Sequence, residues 1–95
     1  MDKQRPRPVH PGEILREDFL PEYGLTAGSL ASELRVPRDR IEKLIREKRS
    51  ITADTAARLA RYFATTPQFW MNLQANFDLA TLAEDDIELI QPRAA

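Results

Sequence analysis

Residues 38–46 combine charged and apolar side chains at a spacing that suits recognition of DNA bases. At about 100° per residue along a helix, three apolar residues share one face: Ile41, Leu44 and Ile45. The remaining surface carries Arg38, Asp39 and Lys43 near the start of the helix. Arginine and lysine donate hydrogen bonds to guanine, and aspartate can accept one from the N4 amino group of cytosine. The pattern predicts that Arg38, Asp39 and Lys43 contact bases in a major groove.

The same residues have a second explanation, which the spacing alone leaves open. Side chains four residues apart on a helix are neighbours, so opposite charges can pair there. Asp39 with Lys43, and Glu42 with Arg46, meet this condition. On this interpretation the outer face of the helix is a solvated surface of ion pairs.

Lys48 and Arg49 follow this helix and are predicted to lie near backbone phosphates, which give affinity without sequence information.

The net charge of the chain is −1, which by itself argues against a nucleic-acid partner. The charges are unevenly distributed, however. Residues 35–49 hold seven of the 14 basic residues and three acids, whereas residues 78–88 hold five acids and no base. This separation favours a basic face for a polyanion and an acidic tail.

No set of residues suits catalysis, a metal or a cofactor. The chain has no cysteine and one histidine, His10, for which we expect a role at a helix start. The acids Glu84, Asp85 and Asp86 lack the spaced ligands and the glycine of a calcium loop. No motif pairs a serine with that histidine. We therefore expect no enzyme activity, no cofactor and no metal site.

Helical periodicity is the only sustained pattern, so we predict an all-α fold with five helices between Pro11 and Ala80. Pro21 and Gly24 are expected to end the first helix, and Thr26, Thr52 and Thr66 to begin later ones. The two helices around Arg35-Val36-Pro37 have the outline of a helix-turn-helix. The predicted core consists of Ile14, Phe19, Leu30, Leu34, Ile41, Leu44, Ile45, Leu59, Phe63, Trp70, Leu73 and Phe77.

A chain of 95 residues is expected to form one domain. We divide it into a flexible basic arm (residues 1–10), a helix-turn-helix domain (residues 11–83) and a C-terminal tail (residues 84–95) with strand or coil character. No apolar run is long enough to span a bilayer, and no signal peptide is recognised. We therefore expect a cytoplasmic protein that does not contact a membrane.

Longer motifs carry a family resemblance. LASELRVPRDRIEKLI followed by KRSITADTAARLARYF is similar to the Cro/phage-repressor (XRE-type) helix-turn-helix. With HPGEIL before it and TPQFWMNLQANFDLA after it, the chain resembles HigA/VapI antitoxins. The resemblance implies a lambda-repressor-like fold and an antitoxin that represses its own operon as a dimer on operator DNA. It also implies neutralisation of a HigB-type ribonuclease toxin.

The resemblance also implies roles by position. Arg38, Asp39 and Lys43 match base-contacting positions, and the residues nearer phosphate-contacting positions are Thr26, Arg40, Arg46 and Lys48. Three residues depart from the family pattern. Ala27 replaces a glutamine, Arg35 replaces a turn glycine, and Glu47 replaces a glycine after the recognition helix. We expect Glu47 to lengthen that helix and repel phosphate, and Arg35 to cost roughly 1 kcal/mol if its φ is positive.

Apolar residues in the acidic tail predict a two-fold dimer. The segment IELI has little chain left to cover it, so the contacts are expected from the fifth helix and the tail, through Phe77, Ile87, Leu89 and Ile90. Two alternatives to a repressor that is also an antitoxin remain open. One is a repressor without a toxin, and the other is a toxin-neutralising module that has lost DNA binding.

Overall fold

The computed structural model describes residues 7–94, which form six helices and no strand. Helix α1 has three consecutive segments, α-helical Pro11–Ile14, π-helical Leu15–Phe19 and α-helical Leu20–Tyr23. The others are α2 (Ala27–Leu34), α3 (Arg38–Ile45), α4 (Ala53–Phe63), α5 (Pro67–Ala80) and α6 (Asp85–Glu88). The all-α prediction is confirmed, with a short sixth helix added. Most of the predicted flexible arm lies outside the described residues.

The helix starts follow the threonines. Thr26, Thr52 and Thr66 each accept a hydrogen bond from the backbone N–H three residues later, at 3.1, 3.3 and 3.1 Å. Each bond satisfies an N–H that has no partner within its helix. Pro11 and Pro67 take the first helical positions, where a missing N–H costs nothing.

The first helix continues past the point at which we expected it to end. Pro21 lies within it, and the helix ends at Tyr23. Immediately before Pro21 the chain forms a π-helical turn in which the Leu20 N–H donates to the carbonyl of Leu15. This wider turn accommodates Pro21, because proline has no N–H to donate and its ring would collide with a regular α-helical turn. Gly24, with φ of 62°, then ends the helix.

Four helices end in the same way, with a residue in the left-handed region, but only one of these residues is glycine. Arg35, Glu47 and Ala64 have φ of 61°, 63° and 58°. After α3, the Lys48 N–H donates to the carbonyl of Lys43 at 2.8 Å and the Glu47 N–H to that of Leu44 at 2.9 Å. This is the Schellman arrangement, in which glycine is usual. Contrary to expectation, Glu47 ends α3 instead of lengthening it.

The core lies between the five longer helices and includes most of the residues predicted for it. Its buried members are Leu15, Leu20, Leu30, Ala31, Leu34, Ile41, Leu44, Ile51, Ala56, Leu59, Ala60, Phe63 and Trp70. Phe19, Ile45 and Leu73 are half-buried against it. Trp70 is fully buried, and its indole N–H donates to the Thr65 hydroxyl at 2.8 Å.

Two predicted core residues lie elsewhere. Ile14 is half-buried outside the core cluster, because α1 turns its neighbour Leu15 inward instead. Phe77 is also half-buried and packs edge-on against the His10 ring, with 4.8 Å between the ring centroids. A helical period leaves one residue of uncertainty in which side chain faces the core, and this accounts for the choice of Ile14 over Leu15.

The tail also differs from the expected strand or coil. Residues 85–88 form one helical turn with no buried residue. Ile87, Leu89 and Ile90 are exposed by 47%, 75% and 70%. Within residues 7–94, no helix is long and apolar enough to cross a membrane.

Candidate nucleic-acid interface

Helices α2 and α3 pack against each other across the short connection Arg35-Val36-Pro37. Ile41 and Leu44 anchor α3 in the core. The side chains of Arg38, Asp39 and Lys43 are exposed by 72%, 67% and 55%. The structure therefore presents the three predicted base-contacting residues to solvent together, on the outer side of α3.

These charged residues form two ion pairs along the helix. Lys43 Nζ lies 3.2 Å from Asp39 Oδ2, and Arg38 Nε donates to Glu42 Oε2 at 2.8 Å. The spacing had suggested a pair between Glu42 and Arg46, but in the structure Glu42 pairs with Arg38. Exposed pairs of this kind contribute only about 0–1 kcal/mol, so a DNA base or phosphate could replace either partner at little cost.

The predicted phosphate-contacting residues fall into two groups. Arg46, Lys48 and Arg49 are exposed in or next to the loop between α3 and α4. Two others already have partners in the protein. The Thr26 hydroxyl caps α2, and Arg40 Nη1 donates to Asp54 Oδ2 at 2.6 Å.

Asp54 connects the helix-turn-helix to α4. Its carboxylate also accepts a hydrogen bond from Arg58 at 2.9 Å, and Arg58 in turn donates to the Leu34 carbonyl at the end of α2, at 2.8 Å. The hydrogen bonds from Arg58 and Arg40 hold the pKa of the Asp54 carboxyl below its usual value. One carboxylate and two guanidinium groups thereby fix α2 and α3 relative to α4.

Helix α1 holds the other end of α3. Arg16 donates to the carbonyl of Ile45, the last residue of α3, and its guanidinium lies 3.3 Å from the Glu47 carboxylate. An arginine is well placed at a helix C-terminus because the last carbonyls lack partners there and the helix dipole is negative. Arg16 therefore helps to set where α3 ends.

His10 has the helix-start role that was expected of it. Its Nδ1 accepts a hydrogen bond from the Gly12 N–H at 2.8 Å, and the side chain is buried. Burial lowers the pKa of the imidazole below its usual value, because the charged form would be poorly solvated. Among residues 7–94, no group of three or more histidine, cysteine or acidic side chains is arranged to hold a metal ion.

Sequence reasoning missed several residues that position this surface. Arg16, Asp54 and Gln74 act across 14 to 31 positions of the chain, and no local pattern reports such distances. Two of their contacts do carry a sequence signal, since Asp54 with Arg58 and Gln74 with Asp78 are each four positions apart.

Comparison with known proteins supports the helix-turn-helix formed by α2 and α3. The helix-turn-helix family model matches residues 15–70. Virulence-associated protein I of Dichelobacter nodosus is 51% identical over 82 residues, which cover 86% of this chain and 75% of that protein. Antitoxin HigA-1 of Vibrio cholerae is 39% identical over 79 residues, or 83% of this chain and 74% of that protein. A solved structure of the Pseudomonas aeruginosa antitoxin HigA with the higBA promoter has a TM-score of 0.85 at 47% identity, covering 90% of this chain and 98% of that one.

Proposed function

The chain belongs to the helix-turn-helix family that includes HigA antitoxins and virulence-associated protein I, and we propose from this that it represses transcription by binding operator DNA as the antitoxin of a toxin–antitoxin pair. The family is one of transcriptional regulators and antitoxins, not a class of enzymes. The observation that carries the proposal is the exposed row of Arg38, Asp39 and Lys43 on α3 in a protein similar to a HigA bound to its promoter.

The distribution of charge supports contact through α3 and the loop after it. Arg46, Lys48 and Arg49 lie exposed beyond the base-contacting residues, where phosphates are the nearer anions. In the proposed complex Arg38, Asp39 and Lys43 read bases, while Arg46, Lys48 and Arg49 contact the backbone. Thr26 and Arg40 keep their proposed places beside the phosphates, with Arg40 oriented by Asp54.

A two-fold dimer is part of the proposal. Met71 and Leu79 on α5 and the apolar residues of the tail are exposed in the monomer. Burying them against the same surfaces of a second copy would remove apolar area from water. The proposed contacts are those of α5, including Phe77, and of Ile87, Leu89 and Ile90. Two recognition helices related in this way would meet half-sites about 34–36 Å apart.

The proposed toxin is a HigB-type ribonuclease that the antitoxin neutralises in the cytoplasm. Support for this partner comes from the relatives, two of which are named HigA antitoxins. The test is co-expression of a tagged version of this chain with the small reading frame next to its gene. Recovery of a stoichiometric complex, together with rescue of growth, supports the antitoxin. Growth arrest that this chain does not relieve points to a repressor without that toxin.

Operator binding has its own test. A gel shift with the promoter of the gene, against a scrambled duplex of the same length, should show a complex on the promoter alone at moderate salt. Sedimentation of the free protein at micromolar concentration should show a dimer. If promoter and scrambled duplex are bound equally weakly while the toxin is neutralised, the chain is a neutralising module without operator recognition.

A further inference from the structure

The loop between α3 and α4 carries Lys48 and Arg49 on a short arch. At its upstream end, the Lys48 N–H donates to the Lys43 carbonyl at 2.8 Å. At its downstream end, Ile51 is buried in the core, with 4% of its surface exposed. Arg49 and Ser50 lie exposed between these two fixed points, and Lys48 is exposed at the upstream one.

The downstream end is held by a side chain from α5. The Ile51 N–H donates to Gln74 Oε1 at 2.7 Å, and Gln74 Nε2 donates to Asp78 Oδ1 at 2.9 Å. Gln74 is 5% exposed, and in the described part of the chain it is one of three buried polar residues, with His10 and Thr55. The bond to Asp78 fixes the orientation of the amide, so that its oxygen faces the loop.

Arg49, Ser50 and Ile51 lie between two helices. Within residues 7–94, none of their backbone N–H groups donates a hydrogen bond to a backbone carbonyl. At Ile51 the backbone N–H is held by the contact with Gln74, and one residue before Ser50 the Arg49 backbone interacts with the buried His10 ring. A buried N–H without a partner costs about 1–3 kcal/mol, so loss of the Gln74 contact would favour a rearranged loop.

We propose that Gln74 is a positioning residue for DNA binding, which holds Lys48 and Arg49 where they can contact phosphates without itself contacting DNA. This inference rests on the proposed function. Two phosphate contacts on a preordered arch form without the entropy cost of ordering the loop. Gln74 also lies on the proposed dimer helix, so the same hydrogen bond links that helix to the DNA-binding loop.

The first test is Gln74→Met, a change of similar length that removes both hydrogen bonds. Fluorescence anisotropy should show about tenfold weaker binding to promoter and scrambled duplex alike. The slope of log affinity against log salt should fall by about one for each phosphate that the loop no longer reaches. A partly unfolded preparation would lower the active fraction and leave the salt slope unchanged. Gln68→Met, at an exposed position of the same helix, is the matched control and should bind as the wild type does.

The second test exchanges the amide and the carboxylate of residues 74 and 78 in two steps. In Gln74→Glu the new carboxylate is repelled by that of Asp78, so it should turn away from the Ile51 N–H and DNA binding should weaken. Adding Asp78→Asn supplies an amide donor to the new carboxylate and should restore both the affinity and the salt slope. Amide hydrogen exchange at Ile51 should be fast in Gln74→Met and Gln74→Glu and slow again in the double variant. This comparison remains informative if Gln74→Met does not fold.

The outcomes separate this inference from the proposed function. If the wild type does not bind the promoter, the proposed function fails. If the wild type binds it and a folded Gln74→Met protein keeps the same affinity and salt slope, the positioning role is overturned. Failure of Asp78→Asn to recover binding in the Gln74→Glu background also overturns it.

Discussion

Gly12, in the first turn of α1, lies against the backbone of Leu44 in α3 so closely that a Cβ at residue 12 would overlap the Leu44 carbonyl group. Helix α3 therefore rests directly on the start of α1. We predict that Gly12→Ala lowers the free energy of unfolding by about 1–3 kcal/mol, because the two helices must move apart. The measurement is urea denaturation followed by circular dichroism.

Gly28→Ala is the control for this change. Gly28 lies within α2, and a Cβ there would meet the Arg38 side chain at ordinary contact distances of 3.5 to 3.6 Å. Alanine at a helical position is favoured over glycine by about 0.5–1 kcal/mol, so this variant should be equal to or more stable than the wild type. Equal stability of Gly12→Ala and the wild type would mean that the close approach is not a constraint.

Helix starts and most core residues could be predicted from the sequence, because threonine caps and apolar periods act over a few positions. The exposed positions of Arg38, Asp39 and Lys43 followed from the same periodicity. Contacts between distant segments could not be predicted. Nothing local indicates that Gly12 must accommodate Leu44 or that Arg16 reaches Ile45. The course of α1 through Pro21 was also missed, since a π-helical turn leaves no mark in an apolar pattern.

Stability should depend on pH through His10. Burial lowers its pKa from the usual 6.5, so the folded state holds the neutral form while the unfolded chain takes up a proton more readily. The stability conferred by neutral His10 is thus present above pH 6.5 and is lost as the pH falls through the lower pKa of the folded state. We predict a decline in unfolding free energy between about pH 7 and pH 5.

The variant His10→Asn separates this effect from others. Asparagine can also cap a helix but does not titrate. Glu13 and Asp54, whose pKa values are lowered from 4.5 and 3.8 by their arginine partners, lose their contributions only at lower pH. The asparagine variant should therefore show a flatter profile between pH 7 and pH 5. Parallel profiles for the two proteins would exclude His10 as the source.

Glu47 combines an unfavourable backbone conformation with a negative charge beside the loop. Its φ is 63°, and glycine at this position should raise the unfolding free energy by up to about 1 kcal/mol. Glycine would also remove the exposed ion pair between Glu47 and Arg16, but that pair adds less than this to the unfolding free energy. We predict that Glu47→Gly also binds promoter and scrambled duplex more tightly, because one charge that repels phosphate is removed. Ala64→Gly, with φ of 58° and no charge change, should stabilise the protein and leave DNA binding unchanged.

The role of Asp39 depends on whether it faces a base or only Lys43, from which it lies 3.2 Å in the free protein. We predict that Asp39→Ala weakens binding to the operator and leaves binding to random duplex nearly unchanged, as expected for a contact with cytosine N4. Glu42→Ala removes another acid of α3 and serves as the comparison. Tighter binding of Asp39→Ala to both sequences would remove Asp39 from the base-contacting surface.

The most direct test of base recognition by α3 is the affinity of Lys43→Ala and Lys48→Ala for the promoter and for a scrambled duplex across a range of salt concentrations. Lys43→Ala should lose about 1–3 kcal/mol on the promoter and little on the scrambled duplex. Lys48→Ala should weaken binding to both and lower the salt slope by about one. Equal losses on the two duplexes for Lys43→Ala, or no loss on either, would contradict the assignment of α3 as the recognition helix.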